Sequence, residues 1–118
     1  MPTSTTTFPD VMRVAFADAA AFSPEPGLTR RILAHNAQMM LVEHRMVKGW
    51  SGARHAHPHD QLVYVVEGRI GFSCGNDEFV VTAGDSFVVK GGVEHSAYAL
   101  EAAIVLDVFT PYREDYLR

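Results

Sequence analysis

Four of the six histidines carry the first chemical signal in this chain: His55, His57 and His59 fall within the stretch HAHPHD, and His95 lies far off at the end of GGVEH. In an extended chain, residues i and i+2 face the same way roughly 6.6 Å apart. The imidazoles of His55 and His57 can therefore converge on one metal ion through bonds of ~2 Å. His95, at the start of a separate strand, supplies a third ligand. Gln61, four residues after His57, reaches the same centre if a small bulge resets the strand's parity. The competing interpretation of His-x-His-x-His is a polar strand edge, against which the glycine-bounded run from Gly84 to His95 argues. His59 follows Pro58, its strand direction is open, and its alternatives are no role in the site or a supporting or substrate-facing one. His35 and His44 stand alone and read as surface or packing residues.

The elements that must position these side chains read as β-structure from residue 28 onward. Short runs rich in Val, Ile, Phe and Tyr are separated by glycine-containing breaks, which is the pattern of many short antiparallel strands. The expected strands are 29–34, 37–47, 61–67, 69–74, 78–82, 86–89, 95–100 and 102–109. Without βαβ spacing they close into a sandwich or barrel. QLVYVVEG and AAIVLDVF are nearly apolar on both faces, so the outer face needs a cover, and a symmetric homodimer is the simplest one. Residues 1–27 are expected as a partly flexible arm, with 1–10 the mobile part, and residues 28–118 as the single domain. Within the arm the alanines of VMRVAFADAAAF leave two turns of helix open, after which SPEPG enforces an extended turn.

Composition removes several function classes. The 118 residues carry 10 Lys+Arg against 14 Asp+Glu, with no basic run, so the footprint of nucleic-acid binding is missing. No stretch approaches the ~20 apolar residues of a membrane span, and residues 1–10 lack the basic start of a signal peptide. The lone Cys74 cannot close an intrachain disulfide, which fits a reducing compartment. The expectation is a soluble cytoplasmic protein with a small-molecule substrate, no nucleic-acid partner and no membrane partner.

The histidine pattern resembles the cupin family over two motifs. Gly49, His55, His57 and Gly68 meet G-x5-H-x-H-x3-E-x6-G, with Gln61 at the glutamate position. Gly84, Gly92 and His95 meet G-x5-P-x-G-x2-H-x3-N, with Lys90 in place of the proline and Ala99 in place of the asparagine. The resemblance implies an all-β double-stranded β-helix, a jelly-roll barrel. Two histidines and a carboxylate favour Fe(II) and oxygen activation, whereas a neutral amide leaves the metal its full positive charge and suits Lewis-acid work.

HAHPHDQLVYVVEG together with VLDVFTPYREDYL is similar to the KdgF cupins of pectin and alginate degradation, over roughly residues 28–117. That resemblance implies a non-redox enzyme that linearises 4,5-unsaturated monouronates into 4-deoxy-keto-uronates. It implies one divalent transition metal, Ni, Zn, Mn, Fe or Co, on His55, His57, Gln61 and His95. It also implies an active site completed by Asp107, Phe109 and Arg113.

These residues suit the chemistry. Ring opening and ketonisation need proton transfer and stabilisation of an oxyanion. Strand alternation puts Val105, Asp107 and Phe109 on one face, and a carboxylate in an apolar strand is costly unless paired or functional. A salt bridge to Arg113 or Arg118 is the structural alternative. Arg113, after a Thr-Pro-Tyr turn, can grip a uronate carboxylate bidentately, or be a solvated tail residue. Trp50 and Tyr64 are either sugar platforms or core. The rival functions are a cupin dioxygenase and a non-enzymatic small-molecule-binding cupin.

Overall fold

Nine strands, each antiparallel to its neighbours, form two sheets in the computed structural model, which describes residues 7–118. They are β1 (Ala21–Glu25), β2 (Leu28–His35), β3 (Met40–Met46), β4 (Asp60–Glu67), β5 (Arg69–Cys74), β6 (Asp77–Thr82), β7 (Ser86–Val89), β8 (His95–Ala99) and β9 (Ala103–Thr110). The larger sheet runs β1-β2-β3-β9-β4-β7 and the smaller one β6-β5-β8. This is the expected all-β jelly roll. No helix among the described residues is long and apolar enough to cross a membrane.

Two local expectations are corrected. Residues 21–25, read as part of an arm ending in a turn, form β1 and pair with β2. Pro24 tolerates this because β1 is the outermost strand, where a missing N–H breaks no ladder bond. The third strand starts at Met40, not 37, because the Asn36 side-chain oxygen accepts from the backbone N–H groups of Gln38 and Met39 and makes a turn there. The alanine-rich run forms only a short 3-10 turn at Phe16–Asp18. Of the mobile arm expected over 1–10, residues 1–6 lie outside the described residues. Phe8 packs edge-on against His35 and Tyr112, with ring centroids 5.9 and 5.2 Å apart.

One side of the larger sheet faces the smaller sheet, and period-two alternation decides what it presents. On β9, Ala103, Val105, Asp107 and Phe109 are buried. Opposite them stand Met46, His44, Val42 and Met40 of β3. On the other flank, Val65, Val63 and Gln61 of β4 face Val105, Asp107 and Phe109. Leu28, Met46, Val63, Val65, Ile70 and Val105 belong to one apolar cluster, while Ile32, Met40, Val42 and Phe109 form a second. On the outer side Leu62, Tyr64 and Val88 are 49%, 47% and 69% exposed. Tyr64 is thus no platform for a ligand inside the barrel.

Candidate metal centre

His55 and His95 sit directly opposite each other, exchanging both backbone hydrogen bonds at 2.9 and 2.8 Å. This pairing ties the loop before β4 to the start of β8, so two residues 40 apart in sequence become neighbours. His57 is held by the glycine turn before β8, where the Gly92 N–H donates to the His57 carbonyl at 2.8 Å. Gly91 is needed for that approach, because a Cβ there would lie 2.1 Å from the Pro58 carbonyl oxygen. The ligand-capable nitrogens of His55, His57 and His95 all lie within 4.8 Å of one another.

The ring orientations fix which nitrogen faces inward. Each Nδ1 meets a nearby carbonyl: His55 that of Ala53 at 2.9 Å, His57 that of His59 at 3.0 Å, and His95 that of Val93 at 2.9 Å. A carbonyl only accepts, so each Nδ1 carries the proton and each Nε2 keeps its lone pair. His95 Nε2 is buried without any hydrogen-bond partner. Burial is the largest cause that pushes both His57 and His95 below the ordinary histidine pKa. For His57 the neighbouring Arg113 and His95 add to this, against the Gln61 side-chain oxygen and the His59 carbonyl, which would accept from the protonated ring. Neutral imidazole is the form that binds a metal.

Gln61 makes the strongest case for a cation. Its Nε2 donates to Asp107 Oδ1 at 2.8 Å, which leaves its Oε1 facing His57 Nε2 at 3.0 Å. Two lone pairs then point at each other. Turning the amide over would only place its oxygen against the Asp107 carboxylate. A positive charge shared by Gln61 Oε1 and the three Nε2 atoms removes the conflict, so the donor set fits a divalent transition metal. The bulge expected to bring Gln61 round is not needed: β4 starts at Asp60, and pairing opposite Phe109 already turns Gln61 inward.

Asp107 is bonded differently from the alternative weighed on sequence. Its partners are neither Arg113 nor Arg118, which pair with Asp115 and Glu114. Oδ1 accepts from Gln61, and Oδ2 accepts from His44 Nδ1 at 2.6 Å. His44 Nε2 in turn accepts from Arg30 Nε at 3.0 Å. Register explains this row: Arg30 stands opposite His44, and His44 and Gln61 are both diagonal neighbours of Asp107 on its two flanking strands. Sequence reading missed His44, assigning it to surface or packing, and missed Arg30. The signal was present in the alternation of MLVEHRM and LTRRIL, where each shares a face with apolar residues.

These groups line a cavity of about 250 Å³ between the sheets. Phe109 forms part of its wall at 1% exposure, edge-on to His57, His59 and Tyr116. Trp50 lines it too, with a buried Nε1 that has no partner. Arg113 is no solvated tail residue, since its side chain is 11% exposed. Its fork, however, is taken by Asp115 at 3.2 and 2.7 Å, and its Nη1 donates to the Tyr116 hydroxyl at 3.0 Å. Tyr116, also missed on sequence, lies under both Arg30 and Arg113, whose guanidinium carbons are 3.7 and 4.1 Å from its ring centre. Burial pushes its phenol above the usual range.

Barrel, paired motifs and inward-facing histidines define one class of protein: the cupin domain family matches residues 42–109, and the chain belongs to it. Within that class the chain is similar to the pectin degradation protein KdgF of Dickeya dadantii (strain 3937), at 29% identity over 93 residues, 77% of this chain and 84% of that protein. The solved structure of KdgF from Halomonas sp. superposes with a TM-score of 0.84 at 32% identity, covering 90% of this chain and 98% of the other. An RmlC-like cupin from Shewanella frigidimarina gives 0.85 at 36% identity, covering 91% and 96%.

Proposed function

We propose that the protein is a metal-dependent, non-redox enzyme of pectin or alginate breakdown that opens the ring of 4,5-unsaturated monouronates and ketonises the product. The observation that carries this is Asp107, held on both oxygens and facing the cavity beside the three-histidine cluster. The likeness to the KdgF proteins, one of them a pectin degradation protein, supports a substrate from that breakdown.

His55, His57, His95 and Gln61 would hold the metal, which would supply Lewis acidity toward substrate oxygens. The chain's own residues account for the proton. A carboxylate has about four acceptor positions, and His44 and Gln61 use one on each oxygen of Asp107. The free positions are open to a ligand in the cavity that Asp107 lines. Ring opening breaks the bond between the anomeric carbon and the ring oxygen, and the proton leaving the anomeric hydroxyl passes to Asp107. The ring oxygen becomes an enolate oxygen, and return of the proton to C4 leaves a ketone at C5. One proton leaves oxygen and one arrives at carbon, so the reaction balances without oxidant, reductant or water. Phe109 walls the site and keeps bulk water from the reacting atoms.

The test follows ultraviolet absorbance of an unsaturated monouronate with oxygen uptake in parallel. Absorbance lost faster than the spontaneous rate, without oxygen consumption, is the expected result. Stoichiometric oxygen uptake moves the assignment to a dioxygenase.

A further inference from the structure

Of the two arginines that line the cavity, Arg30 is the one whose fork touches no carboxylate directly. Arg113 is neutralised by Asp115, and Asp107 is satisfied by His44 and Gln61. Arg30 forms no ion pair among the described residues. It uses one donor, Nε, on His44, while Nη1 and Nη2 make no hydrogen bond within the described chain. Its guanidinium is fixed in place: the Tyr116 ring lies 3.7 Å from it, and Phe22 lies 5.7 Å away. Burial is also the main influence that lowers its pKa. Glu25 lines the same cavity but does not pair with it.

The nearest bonded carboxylate, Asp107, reaches Arg30 only through neutral His44, and a planar fork with two free ends matches a carboxylate. We infer that Arg30, and not Arg113, is the group that grips the ligand's carboxylate, so that Arg30 selects anionic over neutral sugars. Arg113 then acts as a brace: pinned to Asp115, it holds Tyr116 beneath Arg30. The inference rests on the uronate reading for the identity of the ligand but not for the anion site itself.

Calorimetry on the metal-loaded chain tests it with two non-reacting probes, D-galacturonate and its neutral counterpart D-galactose. Wild type should prefer galacturonate. Arg30→Gln, which keeps an amide near His44, should lower galacturonate affinity by ~10–100-fold, the range for a charge-assisted bidentate contact, and bring it to the galactose level. Arg30→Lys should fall between, and Arg113→Gln, which loosens Tyr116 but leaves the Arg30 fork, should weaken galacturonate binding less than Arg30→Gln does. Metal content and thermal unfolding report whether each variant folds. Side-chain NMR of isotope-labelled arginine in wild type needs no substitution: Arg30 signals should move with galacturonate and not with galactose. A preference that survives both Arg30 variants, that is lost in Arg113→Gln alone, or that is absent in wild type for every carboxylate tried overturns the site. If wild type takes neither sugar but holds succinate through Arg30, the uronate reading fails while the anion site stands.

Discussion

Replacing Asp107 with Asn does more than remove a proton carrier, because the hydrogen-bond directions around it leave no orientation in which an amide is satisfied while Gln61 still presents its oxygen to a metal. Gln61 Nε2 and His44 Nδ1 both donate to it. With its NH2 toward Gln61, the asparagine opposes a donor, and relief by turning Gln61 presents an NH2 to His57 and to the metal. With its NH2 toward His44, it opposes an N–H that Arg30 holds in place from the far nitrogen. One charge-assisted bond at a 3%-exposed residue is lost either way, a cost of about 1.5–3 kcal/mol. For 118 residues the unfolding entropy is about 0.25 kcal/mol/K, so Tm should fall by about 6–12 °C. Metal affinity should fall ~10–100-fold, as for other supports of metal ligands, and turnover ~10²–10⁴-fold. The discriminating variant is Asp107→Asn with Gln61→Glu. The carboxylate that Gln61→Glu introduces would accept from the new amide and still face the metal, so stability and metal affinity should return while turnover does not. Scanning calorimetry, metal titration and the absorbance assay read the three quantities. Wild-type metal affinity in Asp107→Asn, or a double variant less stable than the single, would refute the donor and acceptor assignment.

Elemental analysis should find one metal per chain, and His55→Ala with His57→Ala should abolish it while the β-rich far-UV spectrum persists. His57 and His95 are both held below their ordinary pKa of 6.5, so the unfolded chain takes up protons first. Denaturant titration of the metal-free protein should therefore show full stability above about pH 7 and a loss as pH falls through 6.5; a flat profile to pH 5 would contradict the burial argument. Light scattering should give about twice the chain mass, and Leu62→Lys with Val88→Lys, on the exposed apolar outer face, should yield the monomer. A clean wild-type monomer would leave that face without a function in assembly.

Much of the molecule was legible before folding was considered. The glycine breaks and β-rich runs located most strands, because turn chemistry and period-two alternation are local. His55, His57 and His95 were visible because a metal needs imidazoles and the two motifs space them. Asp107 stood out as a carboxylate in an apolar strand. The sheet edge at Ala21–Glu25 was not legible, since two prolines read as a turn until the topology places that segment outermost. Nor was the polar row from Arg30 through His44 and Asp107 to Gln61, because it depends on which strands become neighbours: β9 inserts between β3 and β4 and joins residues up to 63 apart in sequence. How Arg113 is used is a local matter, its fork closing on Asp115 two residues further on, whereas register places Arg30 opposite His44. Residue types and local spacing therefore determined which atoms could bind a metal. The bonds that turn the three imidazoles are local, whereas strand order and register, which arise from long-range packing, bring His55 against His95 and join Gln61, Asp107 and His44 at one place.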